Sequence, residues 1–156
     1  MPDPADELSI QDRLFPDMAC FGCGPANPKG LRLKSFGGDG VVTAEFTPWP
    51  EHDNGLGFLN GGIISTLLDC HSAAAVLEEA ARRGWGPLPG AQLPYVTAGL
   101  DVRYLRPAPL NEPLELRATL RRVDEPEITV DAELWWDGKV RASAGALWKR
   151  WRPRTS

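Results

Sequence analysis

A single carboxylate, Asp69, interrupts the apolar run Gly-Gly-Ile-Ile-Ser-Thr-Leu-Leu-Asp-Cys-His-Ser-Ala-Ala-Ala-Val-Leu-Glu-Glu-Ala-Ala at positions 61–81. An unpartnered charge in such surroundings costs far more than helix propensity returns. Asp69 therefore needs either an internal partner, such as His71 or an arginine, or an opening onto a cleft. In a cleft it would deprotonate a water or attack an acyl carbon, and neighbours such as Ile64 and Leu68 would raise its pKa. It lies about two turns inside its helix, so it cannot be that helix's own N-cap.

Asn60-Gly61-Gly62 stands at the head of the same run. Backbone N–H groups uncovered at a helix N-terminus attract negative charge, and they suit an oxyanion forming on a carbonyl. The structural alternative is an asparagine cap followed by glycines needed for close packing. Thr97 opens the strand after the helix, where its hydroxyl could hold a water used by Asp69, or be an ordinary surface threonine. His71 diverges from Asp69 by about 200° round a helix, which gives no direct dyad. It reads as a hydrogen-bonded structural histidine, and His52 sits in a polar loop without a spacing that argues for a role. No GxSxG elbow, GxxxxGK[ST] or GxGxxG is present.

Cys20 and Cys23 lie in Cys-Phe-Gly-Cys-Gly-Pro-Ala-Asn-Pro-Lys-Gly-Leu, positions 20–31. Their spacing fits a metal knuckle or a redox pair. Zinc needs further ligands, and the candidates Cys70 and His71 are adjacent on the helix, so both cannot easily turn to one ion. A thioredoxin-like pair would open a helix after a strand, whereas Gly24-Pro25 follows here. Packed thiols in a structural loop are expected, with no metal.

These groups need a frame. A helix apolar on nearly every side is a buried helix, and Arg82-Arg83-Gly84 ends it with cations and then glycine. Strands are expected at 31–36 and 41–47, and then at 97–106, 114–122, 128–136 and 140–148, where the apolar period becomes two. Leu100, Val102 and Tyr104 should share one face of the third strand. Asp137-Gly138 marks a tight turn, and Ala142, Ala144 and Ala146 leave room for a helix to lie close. The implied class is α+β, a long central helix wrapped by an antiparallel sheet. An uncovered outer strand and helix head make pairing of two subunits the natural completion.

At 156 residues the chain fits one domain. Residues 1–17, with Asp3, Asp6, Glu7, Asp12 and Asp17, read as an acidic extension in which Leu8, Ile10, Leu14 and Phe15 pack a short helix on the body. Residues 18–150 form the domain, and 151–156 a basic tail. With 21 acids against 17 bases, the net charge of −4 argues against a nucleic-acid partner. Asp69, His71 and Glu78 interrupt the helix below spanning length, so no membrane is expected. The acidic start lacks an apolar leader and three cysteines make no disulfide framework, so a cytoplasmic setting is expected.

Asn60-Gly-Gly-Ile-Ile-Ser-Thr-Leu-Leu-Asp69, followed by Thr97-Ala-Gly-Leu-Asp-Val-Arg-Tyr-Leu-Arg-Pro107, resembles the PaaI-type acyl-CoA thioesterases of the hotdog superfamily. The cysteine loop resembles the N-terminal signature of one branch of that group, and the likeness runs from about Cys20 to Trp148. The resemblance implies a hotdog fold, a homodimer or homotetramer, and active sites at the dimer interface, where acid and helix-start amides come from different subunits. It implies hydrolysis of an acyl-CoA or related acyl thioester to free acid and thiol, with coenzyme A as part of the substrate and no separate cofactor. Asp69 matches the family's catalytic carboxylate, Gly61 and Gly62 its helix-start glycines, and Thr97 an assisting hydroxyl. Arg106, before Pro107, matches a position suited to the phosphates of coenzyme A. One departure stands out: such enzymes commonly carry histidine where this chain has Asn60. Asparagine donates a hydrogen bond but is neither acid nor base. The departure keeps a non-catalytic hotdog module, binding an acyl thioester or aromatic ligand, in view. A hotdog hydratase would need an Asp/His pair that 51–61 does not supply.

Overall fold

The computed structural model describes residues 8–154, so Asp3, Asp6 and Glu7 of the expected acidic extension lie outside the described residues. The elements run α1 (Ile10–Leu14), β1 (Ser35–Phe36), β2 (Val42–Phe46), α2 (Gly61–Arg82), β3 (Tyr95–Tyr104), β4 (Leu114–Val123), β5 (Glu127–Trp136) and β6 (Lys139–Arg150). The strands form one six-stranded antiparallel sheet in the order β1-β2-β4-β5-β6-β3. This is the hotdog arrangement, with 22-residue α2 as its filling.

Both ends of α2 are written locally. Asn60 keeps an extended backbone, and its Oδ1 accepts from the N–H groups of Gly62 at 2.8 Å and Ile63 at 3.3 Å. At the far end the N–H of Trp85 reaches Ala80 O and that of Gly84 reaches Ala81 O, with Gly84 at φ +75°. That pair of bonds is the Schellman stop, for which glycine removes the Cβ penalty.

Between its ends α2 is buried nearly all round. Leu67, Leu68 and Val76 are sealed, each contributing about 1.5–3 kcal/mol of burial. The sheet's inner face meets the helix with small groups where it approaches most closely: Val130 pairs with Ala146, Ala132 with Ala144, and Leu134 with Ala142. Asp137 and Gly138 both take positive φ, 51° and 70°, in the two-residue turn joining β5 to β6.

The polar groups on the buried faces of α2 are partnered. His71, 0% exposed, donates from Nε2 to Val42 O at 2.8 Å and accepts at Nδ1 from the Ser35 hydroxyl at 2.9 Å. Gln11 Nε2 donates in turn to Ser35 Oγ, and Gln11 Oε1 accepts from Ser35 N–H. One imidazole thus ties α1, β1 and β2 to the helix, as expected of a structural histidine. Burial holds its pKa down at about 4. On another face, Trp148 Nε1 donates to Ser72 Oγ, which donates to Asp69 O.

One expectation needed correction. The strand expected at 31–36 is reduced to Ser35–Phe36. Leu31 and Leu33 are buried as their alternation suggested, but their N–H groups go to Phe21 O and Gly22 O in the cysteine loop instead of to a strand. Leu100, Val102 and Tyr104 share one face of β3 as expected, paired with buried Ala146, Ala144 and Ala142, and the Tyr104 hydroxyl reaches Gly61 O of α2. The edge position leaves the first two half-buried and Tyr104 56% exposed. The register shift between Thr97 and Gly99 is what carries the inward positions from Tyr95 and Thr97 to these residues. The short helix expected near the start is α1, with Ile10 buried and Leu14 packed on the core. Among the described residues no helix is long and apolar enough to cross a membrane.

Replacing His71 by leucine keeps much of its volume but leaves the Val42 carbonyl and Ser35 hydroxyl without their partner. We expect a loss of about 1–3 kcal/mol, seen as a lower urea midpoint with an unchanged m-value.

Candidate active site

Asp69 lies on the side of α2 that β3 and the cysteine loop enclose. Its Oδ1 accepts from Thr97 Oγ1 at 2.8 Å, while Oδ2 accepts no hydrogen bond from the described residues and is not sealed in protein. No basic side chain pairs with Asp69 among the described residues. The carboxylate opens instead on a mainly apolar cavity of about 310 Å³, whose walls include Thr97, Met18, Leu77, Cys20 and Cys23. Burial pushes its pKa above the usual carboxylate value, the Thr97 hydrogen bond works against that shift, and the Cys20 sulfur adds to it. Thr97 is delivered by the start of β3, opposite Trp148 and directly before the bulge.

His71 takes no part in this arrangement. Its ring points to β1 and β2 and stays neutral at ordinary pH, so Asp69 has no imidazole beside it.

The helix head is a separate place. Seven residues separate Gly62 from Asp69, about 10 Å along the axis. Gly62 N–H is already held by Asn60 Oδ1, and Asn60 N–H by His52 O at 2.8 Å. Gly61 N–H has no partner among the described residues. Gly61 O accepts from the Tyr104 hydroxyl at 2.9 Å, and that hydroxyl accepts from Ser65 Oγ at 2.8 Å. A Cβ on Gly61 would meet the Tyr104 ring at 3.4 Å, an ordinary contact, so the ring's position does not itself demand glycine. Around the head runs a cleft of about 410 Å³ walled by Asn54, Leu56, Phe58, Gly61, Tyr104 and Arg106. Arg106 is exposed there, its own N–H fixed to Arg141 O. Within one subunit the expected site residues thus fall into two groups: Asp69 with Thr97, and Asn60, Gly61 and Gly62 with Arg106.

His52, read as a loop residue without a role, is buried. Its Nδ1 accepts from Trp49 N–H at 2.9 Å, and its ring stacks on Trp49 with centroids 4.5 Å apart. Through its carbonyl it fixes Asn60, and so the helix head.

Sequence reasoning also missed how the cysteines meet. Cys70 and His71 need not turn to one place, because Cys70 alone faces the loop while His71 faces the sheet. The sulfurs of Cys20, Cys23 and Cys70 all lie within 4.8 Å of one another. The available signal was Gly22 inside the Cys-x-x-Cys: a Cβ there would sit 2.3 Å from Cys70 Sγ, so only glycine lets the loop lie on the helix.

A family model described as the thioesterase superfamily matches residues 56–142, more than half of the chain. The chain belongs to the thioesterase superfamily. Three solved structures illustrate the relationship. A thioesterase superfamily protein is 31% identical with a TM-score of 0.66, over 82% of this chain and 61% of that one, so this chain spans under two thirds of that relative. One from Shewanella loihica PV-4 is 30% identical, TM-score 0.61, over 77% and 91%. A candidate thioesterase from Ralstonia eutropha JMP134, described as phenylacetic acid degradation-related, is 25% identical, TM-score 0.69, over 90% and 98%. Among curated proteins none matches the chain in sequence. Thioesterase-type hydrolysis of acyl thioesters is the activity that membership of this superfamily supports, and the hotdog fold agrees with the PaaI-type resemblance in the sequence.

Burial lowers the pKa of His52 below its ordinary 6.5, against the opposing pull of Glu51. The folded state therefore favours the neutral ring. The stability this confers is complete above 6.5 and declines as pH falls from there toward the folded value. Imidazole resonances followed by NMR should show His52 titrating below 6.5, and His52→Phe should remove that part of the acid destabilisation.

Proposed function

We propose that the protein is a homo-oligomeric acyl-CoA thioesterase whose working site is shared by two copies. The observation carrying this reading is Asp69: a carboxylate on a cavity wall, oriented by Thr97, with one oxygen free and no basic partner. In the proposed reaction Asp69 takes a proton from a water held near Thr97 as the water oxygen bonds to the thioester carbon. The carbonyl oxygen becomes an oxyanion, which collapses with cleavage of the C–S bond. The proton on Asp69 then passes to the departing sulfur, giving acid and thiol. Direct attack by Asp69, through a transient anhydride that water opens, uses the same geometry.

The helix-head amides are proposed to stabilise the oxyanion. The unpartnered Gly61 N–H is the donor available, since Gly62 N–H is committed to the Asn60 cap. Asp69 and Gly61 are too far apart along one helix to serve one carbonyl, so a second copy is needed. Strand β3 supports this: it is ten residues long, pairs with β6 on one side only, and ends beside exposed Tyr104 and Leu105. Antiparallel pairing of two β3 strands about a two-fold axis between Leu100 and Asp101 sets Thr97 of one copy opposite Tyr104 of the other. Tyr104 touches Gly61, so the acid of one subunit comes to face the helix head of its neighbour. Arg106, exposed at that head, is the proposed contact for the phosphates of coenzyme A.

A second reading, a hotdog module that binds an acyl thioester without turning it over, draws support from Asn60. It stands where histidine is common, and its side-chain oxygen is occupied by the cap.

With an acyl-CoA panel and free-thiol detection, Asp69→Asn should lower kcat/KM about 100-fold or more while the thermal transition is retained. Equal turnover by the variant and the parent defeats the assignment. Ligand binding without turnover by the parent favours the binding module.

Thr97→Val should lower kcat about tenfold, the worth of one positioning hydrogen bond. KM should change little, since the threonine orients the acid and water and does not hold the acyl group.

A further inference from the structure

The cysteine cluster is used by nothing in the mechanism above. We infer that Cys20, Cys23 and Cys70 form a binding site for a thiophilic divalent cation of the zinc type, its fourth coordination position opening on the cavity that Asp69 shares.

Geometry argues first. All three sulfurs lie within 4.8 Å of one another, and Cys20 Sγ stands 3.7 Å from Cys70 Sγ. Tetrahedral zinc with sulfur at about 2.3 Å requires a sulfur–sulfur edge of about 3.8 Å. The ligands converge from two elements far apart in sequence, a loop and the middle of α2. The buried helical ligand, Cys70, anchors the site, while Cys20 is exposed.

The loop is built around the first sulfur. Gly24 N–H closes on Cys20 O at 2.8 Å, and Ala26 N–H on Met18 O at 3.0 Å. A Cβ on Gly24 would lie 2.3 Å from the Cys20 nitrogen, so the tight turn after Cys23 requires glycine. Zinc binds the thiolate form, and binding itself displaces the thiol protons.

Charge argues next. No lysine or arginine lines the cavity that the three sulfurs share with Asp69. Three thiolates in such a setting would lack a counter-charge unless a cation bound between them, and soft sulfur ligands select zinc over magnesium or calcium. Asp69 lies outside the mutual set of sulfurs, so a solvent or ligand atom on the cavity side completes the tetrahedron. Binding forms three metal–sulfur bonds, releases the protons still on the thiols to solvent, and involves no redox change. A Cys20–Cys23 disulfide is the competing use of the same loop, but it would leave Cys70 held against the pair without a function.

The full chain, made in zinc-supplemented medium and purified without chelators or an affinity tag that binds metal, should carry about one zinc per chain. Cobalt added to the metal-free protein should give sulfur-to-cobalt charge-transfer absorption and tetrahedral visible bands, both displaced by zinc. Cys20→Ser, Cys23→Ser and Cys70→Ser should each weaken zinc binding at least about tenfold. Zinc should also protect the native thiols from a disulfide reagent. If a serine variant fails to fold, cobalt titration of the parent chain decides. Three reduced, reactive thiols with no tetrahedral cobalt spectrum overturn the proposal, as does a metal-free resting state with a Cys20–Cys23 disulfide.

Discussion

Hiding a 22-residue helix on nearly every side, within a chain of 156 residues, leaves the sheet little choice but to curl round it. Strands β4, β5 and β6 supply the inner wall, and alanines on both helix and sheet let the layers approach. Polar groups trapped by the curl must then be satisfied within it. His71 and Ser72 are, each through one bond given and one received. Six strands do not close the wrap. The outward edge of β3 and the head of α2 are left uncovered, with Leu56 79% exposed and Tyr104 and Leu105 nearby.

The same helix dictates how chemistry can be arranged. A straight α-helix separates its dipole-bearing head from a residue two turns in by about 10 Å, so Gly61 and Asp69 belong to different clefts of one subunit. In the proposed site a single copy holds two halves, an acid with its threonine and a head with its arginine. The proposed association along β3 would make these halves complementary, because an antiparallel two-fold reverses one strand against its neighbour. On that proposal oligomerisation has a chemical reason as well as the physical one of covering an edge.

Much of this was legible in sequence because it is local or periodic. The strands from 114 to 148 announce themselves by strict alternation, the β5–β6 turn by Asp137-Gly138, and the helix ends by Asn60 and Gly84. Thr97 reads in sequence as either a hydroxyl for a water used by Asp69 or an ordinary surface threonine, and in the structure it bonds the Asp69 carboxylate itself at 2.8 Å. What was not legible depends on long-range choices. Leu31 and Leu33 alternate as a strand would, yet their backbone partners are in the cysteine loop. Tyr104 faces α2, but its edge position leaves the ring 56% exposed, and a bulge shifts the alternation of β3 between Thr97 and Gly99. The meeting of Cys70 with Cys20 and Cys23 spans about fifty residues, and only the glycine between the loop cysteines hints at it.

Asn60 decides how donors are distributed at the helix head. The first N–H groups of α2 need partners. Asparagine supplies one oxygen that accepts from Gly62 and Ile63 together, a cap worth about 1 kcal/mol of helix stability. The cap therefore favours stability at the head over donor number, and it concentrates the remaining field at Gly61 N–H. That field is strengthened by the partial positive charge at the helix N-terminus and by Arg106 across the same cleft. With His71 held neutral on the other side of the helix, the proposed proton transfer would have one ionisable oxygen pair to work through, that of Asp69. A site so arranged would separate its two tasks cleanly: one backbone donor with a dipole behind it for charge, and one half-buried acid for protons.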